Sequence, residues 1–234
     1  MTEQLPRSLL ITGGTGGLGH VVVRRLLDDY TCFGLYRSAA AWQSLTDAIG
    51  ASDRLHGLQA DLTDAEAVQA LIEQVRSQWG PLYGLVHLAG GFDMGAVQDT
   101  TPETWNNLLA LNLTSAFTVI RAVLPQLREQ NAGRIITIGS AAVPARPTGI
   151  AAYTVSKAGL NALTEVVAHE LKDTAVTANI LLLGSLATSA MLQHMSSEQL
   201  VPLERVADTI AFLLSDAAAN ITGASIPVTV TGQS

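Results

Sequence analysis

Tyr153 and Lys157 stand four residues apart in Tyr153-Thr154-Val155-Ser156-Lys157, which places phenol and ammonium on one helix face about one turn apart. A free phenol titrates near pH 10 and exchanges protons poorly at neutrality. A neighbouring cation stabilises phenolate, so the pair suits proton exchange with an alcohol or ketone oxygen. Ser140, thirteen residues earlier, follows the apolar run Ile135-Ile136-Thr137-Ile138-Gly139, at the carboxyl end of an expected strand. Its hydroxyl can hydrogen-bond the oxygen that Tyr153 protonates. The plainer reading of Ser140 is a turn cap.

A second chemical feature lies at the amino terminus. The strand Leu9 to Thr12 runs into Gly13-Gly14-Thr15-Gly16-Gly17-Leu18-Gly19, followed by the helical run Val21 to Leu27. Strand, glycine turn and helix start in this order suit a pyrophosphate, which needs close backbone approach and the positive end of a helix dipole. Gly13, Gly17 and Gly19 supply the room. A Walker A loop would end in Gly-Lys-Ser/Thr, whereas Gly19 is followed by His20 and Val21, which disfavours ATP or GTP hydrolysis.

These features need a scaffold that brings strand ends to one edge. The 234 residues, 48% apolar and 14% charged, can fill a sizeable core. Expected strands at 9–12, 32–36, 55–60, 84–88, 134–139, 177–183 and 225–230 are apolar on successive residues, as strands buried on both faces require. Helices are expected to start near Leu18, Ala40, Asp64, Pro102, Tyr153 and Pro202. The alternation predicts one domain over 1–234, a Rossmann-type doubly wound α/β fold with a parallel sheet of about seven strands and helices on both faces. With 13 basic against 20 acidic residues and a formal charge of −7, nucleic acid is not an expected partner. No apolar run looks long enough to cross a bilayer, no signal peptide is recognised, and Cys32 has no internal partner, so a cytoplasmic protein is expected.

Thr12 to Gly19 resembles the Thr-Gly-x-x-x-Gly-x-Gly signature of short-chain dehydrogenases/reductases, and with Tyr153 and Lys157 the resemblance covers nearly the whole chain. It implies NAD(P)-dependent hydride transfer between nicotinamide and a carbonyl or secondary alcohol, without metal. Catalysis would rest on Asn112, Ser140, Tyr153 and Lys157, with Asn112 holding a relay water and Lys157 also binding the nicotinamide ribose. The coenzyme would lie on Gly13, Thr15, Gly17, Leu18 and Gly19, on Asp61 and Leu62 beside adenine, on Ala89 and Gly90, and on Gly184 and Thr188. His87-Leu88-Ala89-Gly90 departs from the family's Asn-Asn-Ala-Gly, and Leu183 replaces a proline. His87 is read as a packed or hydrogen-bonded strand-end residue.

The second strand ends without an acid, and Arg37 and Ser38 offer donors for a 2′-phosphate, so NADP(H) is favoured over NAD(H). The alternative is a solvated Arg37. A lid over roughly 185–201 would carry Met191 and Met195 to the substrate, or these lid residues face a helix interface; Phe92 and Met94, after the fourth strand at the same sheet edge, could also touch substrate. A small, apolar or aromatic carbonyl compound fits them. A pteridine reductase resembling dihydropteridine reductase and a non-catalytic coenzyme-binding regulator are the competing readings. The resemblance further implies a homotetramer or homodimer, assembled through the helices starting near Pro102 and Tyr153 and the carboxyl-terminal strand.

Overall fold

A computed structural model describes residues 6–230. The carboxyl-terminal residues Thr231 to Ser234 lie outside them. Seven strands form one parallel sheet: β1 (Ser8–Thr12), β2 (Thr31–Tyr36), β3 (Leu55–Gln59), β4 (Gly84–His87), β5 (Gly133–Ser140), β6 (Val176–Leu183) and β7 (Ser225–Val228), in the order β3-β2-β1-β4-β5-β6-β7. The expected fold class is therefore observed. The last strand stops at Val228, two residues short of its predicted end.

Apolar residues on both faces of the central strands explain the layers. Leu10, Phe33, Leu85 and Ile135 join one core cluster with residues of α3 (Ala65–Trp79), α5 (Ser115–Gln130) and α7 (Ala151–Glu170). Leu9, Ile11, Cys32, Val86 and Ile136 join the other with α1 (Gly17–Leu26), α2 (Ala39–Ile49) and α8 (Leu203–Leu214). Strand order reverses between β1 and β4, so a crevice opens at their carboxyl ends, where such sheets take ligands.

Local chemistry sets the helix starts. Asp64 caps α3 by accepting from the amides of Glu66 and Ala67, and Thr101 caps α4 (Pro102–Leu109) ahead of Pro102. Pro202 flanks α8 at its cap instead of occupying the first turn. No side chain caps α1, whose N-terminus opens toward the glycine turn.

The helix expected from Pro102 is interrupted. A π-turn, Ala110–Thr114, joins α4 to α5, and Pro125 sits inside α5. The continuous stretch Pro102–Gln130 has 29 residues and a mean hydropathy of 1.6 over its most apolar window, which corrects the expectation that nothing here is long and apolar enough to cross a membrane. Half of that window is buried in the fold, where Val119, Val123 and Leu127 join the core.

Candidate active site

The sheet's carboxyl edge carries two adjoining hollows. The first, a cleft of about 310 Å³, runs from the glycine turn past the ends of β2 and β3 to the loop after β4. Thr15, Arg37, Asp61, Leu62, Ala89 and Gly90 all line it, as does Gly16, which sequence reasoning did not single out.

The glycines divide their labour. Gly13 adopts φ +70°, and a Cβ there would lie 2.5 Å from the Ala89 amide nitrogen, so this glycine lets β1 abut the end of β4. A side chain on Gly19 would run into the carbonyls of Gly13 and Gly14, so it serves the packing of α1 on its own turn. Gly16 and Gly17 are the ones with space: a Cβ on Gly17 would meet nothing closer than Thr188 Cγ2, at 3.6 Å. The room expected from all three signature glycines is thus supplied by Gly16 and Gly17. Leu18 packs against the core cluster beneath α1, leaving only its backbone at the helix N-terminus.

At the far end of the cleft, Asp61 Oδ1 accepts from the Thr63 amide at 2.9 Å and the Thr63 hydroxyl at 2.7 Å. Those two bonds, with a smaller contribution from the Arg37 charge, hold its carboxyl below the usual range against slight desolvation. Ser38 Oγ accepts from the Ala41 amide at 3.3 Å as the cap of α2. Its oxygen therefore shapes the loop that carries Arg37.

The second hollow, about 560 Å³, brings Ser140, Tyr153 and Lys157 together with Phe92, Gly184 and Met191. Its remaining walls are mainly aliphatic, and Lys157 is the only charged residue among them. The Phe92 ring meets Tyr153 edge to face, with centroids 4.9 Å apart. Met94 and Met195 do not line this hollow, and Met94 is 72% exposed. Their substrate assignment is not carried by this geometry.

Burial raises the Tyr153 phenol above its ordinary value, and a hydrogen bond with Ser140 pulls it part of the way back. Ser140 Oγ also accepts from the Ala142 amide at 3.1 Å. The expected lowering of the phenol by Lys157 is not what dominates: Lys157 Nζ donates to the Ile138 carbonyl at 2.8 Å, inside the sheet edge. Desolvation brings that ammonium down from 10.5 to about 8.

Asn112 is fully buried in the π-turn. Its amide oxygen accepts from the Gly91 N–H at 2.9 Å, and its amide nitrogen donates to the Gly91 carbonyl at 3.0 Å and to Ser156 Oγ at 2.9 Å. Ser156 in turn donates to the Tyr153 carbonyl at 2.8 Å. The side chain thus ties the loop after β4 to the helix that carries Tyr153, and both its donor hydrogens are used. Ser156 was missed by sequence reasoning, since nothing local marks a helix serine whose partner lies 44 residues away. Gly90 has a comparable hidden duty: a Cβ there would fall 2.6 Å from Asn112 Oδ1 and 3.1 Å from Lys157 Nζ.

A nucleotide-sized cleft at a sheet switch point, beside a partly buried tyrosine and a buried lysine, is the architecture of an NAD(P)-dependent oxidoreductase. The short chain dehydrogenase family model matches residues 7–200, and the chain belongs to that family. It is 30% identical to the 3-oxoacyl-(acyl-carrier-protein) reductase FabG of Staphylococcus aureus (strain Mu50) over 241 residues, covering 96% of this chain and 97% of the relative. The FabG of Escherichia coli (strain K12) is 29% identical over 231 residues, covering 94% of each. Among solved structures, gox2181 superposes with a TM-score of 0.88 at 25% identity, covering 96% of this chain and 95% of its own. ElxO with NADP bound shares the fold with a TM-score of 0.90 at 23% identity, covering 96% and 97%.

Proposed function

We propose that this protein is an NADP(H)-dependent carbonyl reductase of small, apolar or aromatic substrates. The observation that carries the reading is the meeting of Ser140, Tyr153 and Lys157 in one apolar-walled hollow beside the nucleotide cleft. When bound, the coenzyme supplies the hydride to the carbonyl carbon. Tyr153 Oη gives its proton to the carbonyl oxygen, and the raised phenol is a protonated donor at neutral pH. Ser140 Oγ takes one hydrogen bond from Ala142, and the O–H that it offers Tyr153 can turn to orient that oxygen and stabilise its developing charge. Lys157 holds a positive charge in the hollow at pH 7 and lies within reach of a ribose on the Gly90 side. Asn112 keeps Gly91 and the Tyr153 helix in place, and the second lone pair of its amide oxygen is left to hold a relay water.

For the coenzyme, Gly16, Gly17 and the uncapped start of α1 receive the pyrophosphate, with Thr15 and Leu18 offering backbone. Asp61 Oδ2 accepts from adenine beside Leu62, Ala89 and Gly90 floor the cleft, and Gly184 and Thr188 border the nicotinamide. Arg37 at the cleft wall supplies the fork for a 2′-phosphate. The NADP-bound fold neighbour supports that choice.

Two relatives named as 3-oxoacyl-(acyl-carrier-protein) reductases support carbonyl reduction as the direction. The hollow's aliphatic and aromatic walls, without a cation beyond Lys157, support the smaller neutral substrate class. We read the chain as one domain over 1–234 with a cover over 185–201, whose two short 3-10 turns, Met191–Gln193 and Ser197–Gln199, lie between the paired residues Leu186 and Val201. Half-exposed Phe117 and Val166 on α5 and α7 support self-association as a dimer or tetramer. The buried Cys32 thiol, pushed up to about 12 by desolvation, suits a reducing cytoplasm.

Titration of the protein with NADPH and NADH, repeated with Arg37→Ala, tests the coenzyme assignment. NADPH should bind more tightly, and the substitution should weaken NADPH about tenfold while leaving NADH unchanged. Equal loss for both, or a preference for NADH, would overturn it.

A further inference from the structure

His87 occupies the last residue of β4, wholly buried beneath the nucleotide cleft, with Thr12 of β1 directly opposite in register. Its ring has two partners. Nδ1 lies 2.9 Å from Thr12 Oγ1, and Nε2 lies 3.4 Å from Ser115 Oγ.

The protons in this chain have only one consistent arrangement. Ser115 has a single hydroxyl hydrogen and gives it to the Leu111 carbonyl at 2.7 Å, so toward His87 it can only accept. Nε2 must therefore carry the proton. Nδ1 of the neutral ring is then an acceptor and takes the Thr12 hydroxyl hydrogen, leaving Thr12 Oγ1 to accept from the Ala89 amide at 3.4 Å. The opposite tautomer would set the Nε2 lone pair against an oxygen with no hydrogen to offer. The charged ring is disfavoured by burial and by the Lys157 ammonium, which together hold the imidazole down to about 3.

The two ends of this chain are parts of the site. Ala89, Leu111 and Ser115 all line the nucleotide cleft. Leu111 precedes Asn112 in the π-turn, and Asn112 reaches Tyr153 through Ser156. A π-turn leaves carbonyls without their usual helical partners and so depends on side chains from elsewhere to fix it.

We propose that His87 is a positioning residue for the reaction, a neutral Nε2–H imidazole that locks the coenzyme floor at Ala89 to the π-turn that holds Asn112. This rests on the reading of the cleft as the coenzyme site. Its two arms divide the work: the Thr12 arm sets the floor and acts on coenzyme affinity, while the Ser115 arm sets the π-turn and acts on turnover. An asparagine amide reaches the place of Nδ1 and can still accept from Thr12, and a glutamine amide reaches the place of Nε2 and can still donate to Ser115.

Long-range proton–nitrogen NMR on isotope-labelled protein reads the tautomer, with the His87 ring signal assigned in the wild-type protein through its correlations to the His87 backbone amide. The expected signal is a neutral ring protonated at Nε2, unchanged through neutral pH. Loss of one buried hydrogen bond corresponds to about a fivefold effect. His87→Gln should therefore weaken NADPH binding by about that factor with kcat held within twofold, and His87→Asn should lower kcat by about that factor with NADPH affinity held within twofold. A ring protonated at Nδ1 or carrying charge at pH 7 would overturn the proposal. So would folded variants that lose thermal stability alone, with no split between affinity and turnover. If neither variant folds, the wild-type tautomer decides. Should the wild-type protein bind NADPH and reduce no carbonyl, the function proposed above fails, while the tautomer and the affinity arm still judge His87.

Discussion

The two hollows at the sheet edge are built differently. The nucleotide cleft is a backbone site: its floor and walls are strand ends and a glycine turn, and its tightest demands are at Gly13 and Gly90, where a single methyl group would collide with an amide nitrogen or with Asn112 and Lys157. The neighbouring hollow is a side-chain site, enclosed by Phe92, Tyr153, Ile138, Leu186 and Met191. Of its two glycines, Gly139 would crowd the Leu182 and Ile180 side chains at 2.8 and 2.9 Å, while a Cβ on Gly184 would meet Val201 and Thr229 at 3.5 and 3.6 Å, which is ordinary contact. The difference teaches where each kind of change is tolerated. On the proposed function, coenzyme recognition is fixed by where the chain can go, and substrate recognition by which side chains line the second hollow.

The largest effect expected from this contrast comes from removing the one reactive oxygen in the side-chain site. Tyr153→Phe keeps ring and burial and should lower turnover by about 10²-fold or more, with NADPH affinity unchanged in a fluorescence titration. Next is the paired test of the two glycines. Gly90→Ala should weaken NADPH binding about tenfold or more and lower Tm, because Asn112 and Lys157 must shift, while Gly184→Ala, whose Cβ finds ordinary room even though the residue borders the proposed nicotinamide place, should change either by no more than about twofold. Similar losses in both would erase the distinction between the hollows.

A pH profile sharpens the comparison at the group the two sites share. Burial lowers Lys157 from 10.5 to about 8, so the ammonium predominates well below pH 8, is half present near that value and is lost as pH rises through it. Between about 8 and 10.4 the unfolded chain binds more protons at this residue than the folded one, so this lysine adds stability with rising pH while the site loses its positive charge. NADPH affinity should fall above pH 8 in the wild-type protein, and Lys157→Met should bind weakly at every pH without that limb. The smallest effect is at the wall: Phe92→Ala should raise KM for an aromatic ketone about threefold and leave NADPH affinity alone, as expected for the loss of one edge-to-face partner.

The sheet was readable from the sequence because its strands are apolar on consecutive residues, and the glycine turn and Tyr153–Lys157 were readable because their spacing is local. The π-turn was not. It depends on Asn112 finding Gly91 and Ser156, 21 and 44 residues away, and no local period announces that. The same reason hid the Thr12–His87–Ser115 chain, which exists only once β1, β4 and α5 are side by side. The glycine signature was read correctly as a turn but not in its parts, since which glycine faces the cleft and which faces the protein is decided by the approach of β4 and by the packing of α1. Lys157 was expected to act on the phenol, and its nitrogen instead bonds the Ile138 carbonyl, a partner set by the end of β5.

The most direct measurement is a single turnover, with enzyme in excess over NADPH, mixed with an aromatic ketone and followed by coenzyme absorbance and by quantifying the alcohol. The account predicts NADPH bound more tightly than NADH and one alcohol formed for each NADPH oxidised. NADPH bound without alcohol formed across neutral aromatic and aliphatic ketones would contradict it.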